Sequence, residues 1–300
     1  MKSLFHVLLI AMLLVFATGF ALAADEPEKA PDKAPKPTAD ELAQIKPLLE
    51  VIRWTNLEQW KYFYEHATPC DAGEDLYRMG AVTVPFILDA VQSDQYLSGN
   101  RVYLVCLLGR MGSERVFNVT PPLCKLLETW VNAGRAARSS YIDERSDRGY
   151  TSYPRSLLPR AAAKALAMAA DPAAVPVLLK VMNILRQAAD KVYTDSRYSS
   201  SGRFALDVMR DAANALAVTD DDGARKFLDK CAVSPSPSLR VCANIAKASA
   251  MLAEDRKAAE EYLRNLCPGE RYPKIIEEYT RFIMDKCRTF EDRIRENDSN

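Results

Sequence analysis

The sequence predicts an all-α fold of stacked helix pairs, and three observations predict it. An octamer occurs twice: residues 160–167 read R-A-A-A-K-A-L-A and residues 210–217 read R-D-A-A-N-A-L-A, with looser versions at 101–108 and 240–247. Recurring segments of this kind signal supersecondary units that stack on one another. Apolar residues recur at helical spacing between turn residues. No segment shows sustained period-two alternation bounded by turn residues, so essentially no sheet is expected.

The elements follow in order. Thr38-Ala39-Asp40-Glu41 is a capping-box pattern, in which the Thr hydroxyl accepts an N–H three residues on and the Glu reaches back. A helix to about Glu50 follows, with Leu42, Ile45, Leu48, Leu49 and Ile52 on one face and Pro47 inside it. An aromatic segment from Asn56 to Glu65 ends at Thr68-Pro69, since the residue before a proline disfavours helix. Five helix pairs are expected next. They are Glu74–Met79 with Val82–Val91, Arg101–Met111 with Arg115–Val131, Arg155–Ala169 with Ala173–Ala188, Phe204–Leu216 with Gly223–Cys231, and Leu239–Leu252 with Asp255–Leu266. Pro121-Pro122 dents or restarts the second member of the second pair, and Asp171-Pro172 is an N-cap followed by Pro at the first helical position. A last helix runs from about Pro273 to about Arg295.

The segment R-A-A-A-K-A-L-A-M-A-A-D-P-A-A-V-P-V-L-L-K-V-M at 160–182 resembles a HEAT repeat, or the HEAT-like form named after phycobiliprotein lyases. L-Y-R-M-G-A-V-T-V-P-F-I-L-D-A-V at 76–91 carries the same helix–turn–helix ending in V-P-x-x-L. The resemblance covers roughly 74–266 and implies an α-solenoid of about five HEAT-like antiparallel pairs, with extra helices at both ends. Two departures stand out. The family's second-helix proline is missing from the fourth and fifth pairs, and the spacing of the register arginines is uneven against a unit of about 40–47 residues. Arg160 and Arg210 open their helices in register, where an inter-repeat hydrogen bond or ion pair is expected; the alternative is a ligand-facing ladder.

The N-terminal residues read as an export signal. Lys2 is followed by the apolar run V-L-L-I-A-M-L-L-V-F-A at 7–17, and Ala21-Leu22-Ala23 supplies the small residues of a peptidase site. Residues 1–23 are therefore expected to be removed, leaving a periplasmic or secreted chain; the alternative is an uncleaved anchor. No later stretch is apolar enough to span a bilayer. Residues 24–38, A-D-E-P-E-K-A-P-D-K-A-P-K-P-T, alternate Pro with charge and lack aromatics, the composition of a disordered tether. The remainder, 39–300, is taken as one repeat domain.

Composition narrows the function classes. Forty basic residues balance forty acidic ones, so the basic footprint of a nucleic-acid binder is missing. His66 is the only histidine beyond the signal. Cys70 lies four residues on, but Pro69 intervenes and a thiol in an oxidising compartment is a poor nucleophile, so no catalytic residue is assigned. There is no C-x-x-C, H-x-x-x-H, P-loop, G-x-S-x-G or dinucleotide fingerprint. No metal and no cofactor are expected. Asn118-Val119-Thr120 is a glycosylation sequon followed by Pro121. Seven cysteines in an exported chain imply at least one disulfide and at least one free thiol. Cys231 and Cys242, at a helix end and in the first turn of the next, are the expected bridge.

Extra chain joins the second pair to the third at 133–154 and the third to the fourth at 192–203. Both connections run from a second helix to the next first helix, so they are expected side by side on one rim. They carry Tyr141, Arg145, Arg148, Tyr150, Tyr153, Tyr193, Arg197 and Tyr198. Tyr and Arg dominate binding hot spots, because they combine large contact area with polar handles. These residues are the expected partner-binding set, and the expected function is that of a scaffold or adaptor binding another protein. The alternatives are an enzyme, lyase or hydrolase-like, using the solenoid groove, or a purely structural envelope spacer.

Overall fold

In a computed structural model the described residues are 30–55, 71–136, 154–194, 200–252, 255–266, 274–275 and 278–281. Every regular element among them is helical. The helices are α1 (Ala39–Trp54), α2 (Asp71–Met79), α3 (Val84–Gln92), α4 (Ser98–Ser113), α5 (Thr120–Ala136), α6 (Pro154–Ala169), α7 (Val175–Thr194), α8 (Ser200–Val218), α9 (Asp222–Ala232), α10 (Pro237–Leu252) and α11 (Arg256–Leu266). Residues 274–275 and 278–281 are also helical. The aromatic segment 56–65, His66 and Cys70 lie outside the described residues.

Local chemistry sets the ends. The Thr38 capping box forms in full: Glu41 N–H donates to Thr38 Oγ1 at 3.2 Å, and Thr38 N–H donates to the Glu41 carboxylate at 2.7 Å. That hydrogen bonding holds Glu41 below the usual carboxylate range. Pro47 is carried within α1. The helix expected from Arg115 begins only at Thr120, directly before Pro121-Pro122; residues 115–119 are not helical. Asp171 caps the short 3-10 turn Pro172–Ala174 by accepting Ala173 N–H at 2.9 Å, and α7 follows directly. Asp221 caps α9 in the same way, through Ala224 N–H at 2.7 Å.

The first members of the expected pairs touch in succession: α2 packs on α4, α4 on α6, α6 on α8, and α8 on α10. Small residues make this possible. Ala161, Ala162, Ala163 and Ala165 of α6 and Ala212, Ala213 and Ala215 of α8 are essentially inaccessible, and small side chains let helix axes approach closely. Larger side chains fill the space on either side, including Leu104, Leu108 and Met111 of α4, Leu123 and Leu127 of α5, Leu166 of α6 and Leu178 of α7.

The fifth pair packs as expected, α11 on α10, but the second members α5 and α7 depart from the hairpin expectation. The main packing of α5 is on α6 and that of α7 is on α8, across the long connections. Contact across the short turns, α4 with α5 and α6 with α7, is slight. The apolar stripe chooses the neighbour here, and the length of the connecting turn does not.

The register arginines tie these layers together. Arg160 Nε donates to Asp211 Oδ2 at 2.7 Å, joining α6 to α8. Asp211 is the aspartate that distinguishes the second octamer from the first, where Ala161 occupies the same place. Arg101 Nε donates to the Val91 carbonyl at 2.7 Å, and Arg240 Nη1 to the Ser234 carbonyl at 2.7 Å. Each serves a carbonyl at or just past a helix C-terminus, where acceptors are otherwise unused.

Candidate functional site

The expected binding set is mostly outside the described residues: Tyr141, Arg145, Arg148, Tyr150, Tyr153, Arg197 and Tyr198 all fall there. The connections are also shorter than the sequence implied. Residues 133–136 belong to α5, residue 154 opens α6, 192–194 end α7 and 200–203 begin α8. Tyr193 needs correction. It lies in α7 with 7 % of its surface exposed, facing the core, and is no surface anchor. The same helical spacing that buries Leu185 and Ala189 continues to Tyr193, which sits one turn beyond Ala189.

The Tyr193 hydroxyl is buried without a hydrogen-bond partner among the described residues. Burial pushes its pKa well up, so it stays protonated. Tyr193→Phe should leave stability unchanged or raise it by up to about 1 kcal/mol, because the variant buries no unpaired hydroxyl. Chemical denaturation checks this, and a clear loss of stability would show that the hydroxyl is used.

The expected Cys231–Cys242 bridge is also corrected, since both are free buried thiols. Cys242 is fully buried, with Sγ 3.9 Å from the Leu206 carbonyl of α8, and Cys231 lies on the buried face of α9. Their side chains are committed to packing. Burial raises the thiol pKa to about 12 at Cys242 and to about 11 at Cys106, Cys124 and Cys231. These four carry almost no thiolate at neutral pH and make poor nucleophiles.

Two arrangements missed by the sequence reading stand out. The first is a charged clamp. Glu278 is 8 % exposed, and its two oxygens accept from Arg203 Nη1 and Arg210 Nη2 of α8, each at 2.8 Å. Burial alone would raise the Glu278 pKa, but Arg210 and Arg203 outweigh it and hold the group below its ordinary value. Lys274 Nζ donates to the Val192 carbonyl at 3.1 Å, and Tyr279 pairs with Asn244 at 3.2 Å. These bonds fasten residues 274–275 and 278–281 to α7, α8 and α10. An ionised, doubly paired carboxylate is a structural tie and not a proton donor. Nothing in its immediate sequence marks Glu278 for burial.

The second is a cavity of about 300 Å³ where the turn after α4 meets the turn after α6. Arg115 lines it from the first turn, Thr120 from the start of α5, and Ala170 and Asp171 from the second turn. Arg115 (φ 57°) and Ala170 (φ 49°) are both left-handed. In each case the residue follows a helix C-terminus, a position that favours glycine. Ala30 closes one side. Residues 30–34, expected as part of the tether, lie against the body here. Asn118 N–H donates to the Pro31 carbonyl at 3.0 Å, Asn118 Nδ2 to Asp32 Oδ1 at 2.7 Å, and Ala34 packs against the core. Hydrogen bonds hold a segment too poor in apolar residues to be held by burial.

Comparison with protein-family models, with curated proteins and with solved structures found no match for this chain. Among the described residues no group of His, Cys, Asp and Glu could hold a metal ion. No described helix is long and apolar enough to cross a membrane.

Proposed function

We propose that the chain is an exported HEAT-like α-solenoid that binds another protein through its surface and the Tyr/Arg-rich connections between repeats. The successive contacts of α2, α4, α6, α8 and α10 support stacked repeats. One observation carries the binding face: α5 packs on α7 and α6 on α8. The connections 137–153 and 195–199 therefore leave from adjoining helices and return to adjoining helices, which favours a shared rim. Tyr150, Tyr153, Arg197 and Tyr198 are the residues of these connections proposed to serve that partner.

The test is cross-linked capture from the native envelope with the mature protein, comparing wild type with the Tyr150, Tyr153, Arg197 and Tyr198 quadruple alanine variant. The variant should lose the captured partner while its circular dichroism stays unchanged. Equal capture by both proteins, or no specific capture by either, overturns the reading. Export is checked separately, by mass analysis showing an N-terminus at Ala24.

A further inference from the structure

The rim cavity holds polar groups that the fold leaves unused. Thr120 is 2 % exposed and lines the cavity, yet its hydroxyl makes no hydrogen bond to any described residue. The Arg115 guanidinium likewise has no partner among the described residues, and it stands on a backbone position where glycine would be more stable. Across the cavity, Asp171 spends Oδ1 on its capping bond, and Oδ2 is left over. Arg115 and Asp171 line the same space without forming an ion pair with each other. Phe117, Val119 and Pro172 add apolar surface to the wall. The helix α5 N-terminus contributes little of its own. Pro121 and Pro122 have no N–H, and Thr120 N–H is taken by Asn118 Oδ1 at 3.2 Å.

A guanidinium with a hydroxyl, a separate carboxylate and an apolar wall form a matched set. The first two suit a carboxylate, the third suits an ammonium, and the wall suits a hydrocarbon side chain. The volume sits at the small end of ligand pockets, which run from about 300 to 1,000 Å³. We propose that this cavity binds a free α-amino acid with an apolar side chain, its carboxylate on Arg115 and Thr120 and its ammonium on Asp171. This site is independent of the protein-binding rim proposed above.

Isothermal titration of the mature protein tests it, with L-leucine and two half-analogues, 4-methylpentanoate and 3-methylbutylamine, as probes. Leucine should bind with a Kd below about 1 mM, and each half-analogue about tenfold more weakly or worse. Arg115→Gly suits the left-handed backbone and should keep full thermal stability. It should lose about tenfold in leucine affinity and no longer prefer leucine over 3-methylbutylamine. Asp171→Asn retains the helix cap and should erase the preference for leucine over 4-methylpentanoate. No leucine binding up to about 10 mM, or wild-type affinity in the folded Arg115→Gly variant, overturns the proposal.

Discussion

Glu278→Ala should destabilise the protein by about 3 kcal/mol, because it leaves Arg203 and Arg210 facing each other with no carboxylate between them. The figure sits at the lower end of what breaking a buried pair costs. Both arginine side chains keep some access to water, at 29 % and 23 %. Urea denaturation measures the loss, and hydrogen exchange should show protection falling first at residues 278–281. A variant as stable as wild type would mean that these residues are not clamped to α8.

Acid should act on the same tie. Glu278 is held below its ordinary value in the folded protein, against about 4.3 in the unfolded chain. Its contribution is therefore complete above the unfolded value and is lost as pH falls through the folded one. The stability gap between wild type and Glu278→Gln should be full at neutral pH and should close as the pH drops below about 4.

Gly109→Leu should cost about 3 kcal/mol through overpacking between α4 and α6. A Cβ at Gly109 would lie 2.8 Å from Ala165 Cα and 2.9 Å from its Cβ. The obstacle includes backbone, so no rotamer change relieves it, and the two helices must part. One turn along, a Cβ at Gly112 would meet Ala169 Cβ at 3.1 Å. Gly109→Ala should cost less, since it adds the Cβ but none of leucine's further carbons. The denaturation midpoint should fall with the m-value unchanged. A leucine variant with wild-type stability would show that α4 and α6 do not approach this closely.

The helices themselves were legible in the residues. Their positions follow from short-range chemistry: the Thr38–Glu41 box, the Pro121-Pro122 pair and the Asp171 and Asp221 caps each act within a few residues. The octamers' arginines act as ties between helices, as expected of Arg160. Misreadings cluster where a distant element decides. Tyr193 reads as a loop tyrosine until α7 is seen to continue through it and bury it. Cys231 and Cys242 read as a bridge until Cys242 is seen turned toward α8. Glu278 looks like its exposed neighbours until two arginines some seventy residues earlier close on it.

The sequence alone thus determined helix content, helix ends and the small-residue faces, because caps, prolines and apolar periodicity act through neighbours in the chain. Only the tertiary structure decided which helix packs on which, and which polar groups are left over. The turn after α4 and the turn after α6 are some fifty residues apart, and their meeting at Arg115, Thr120 and Asp171 is written in neither turn. It arises because α4 and α6 come together through glycine and alanine, and that close approach carries both turns to one place.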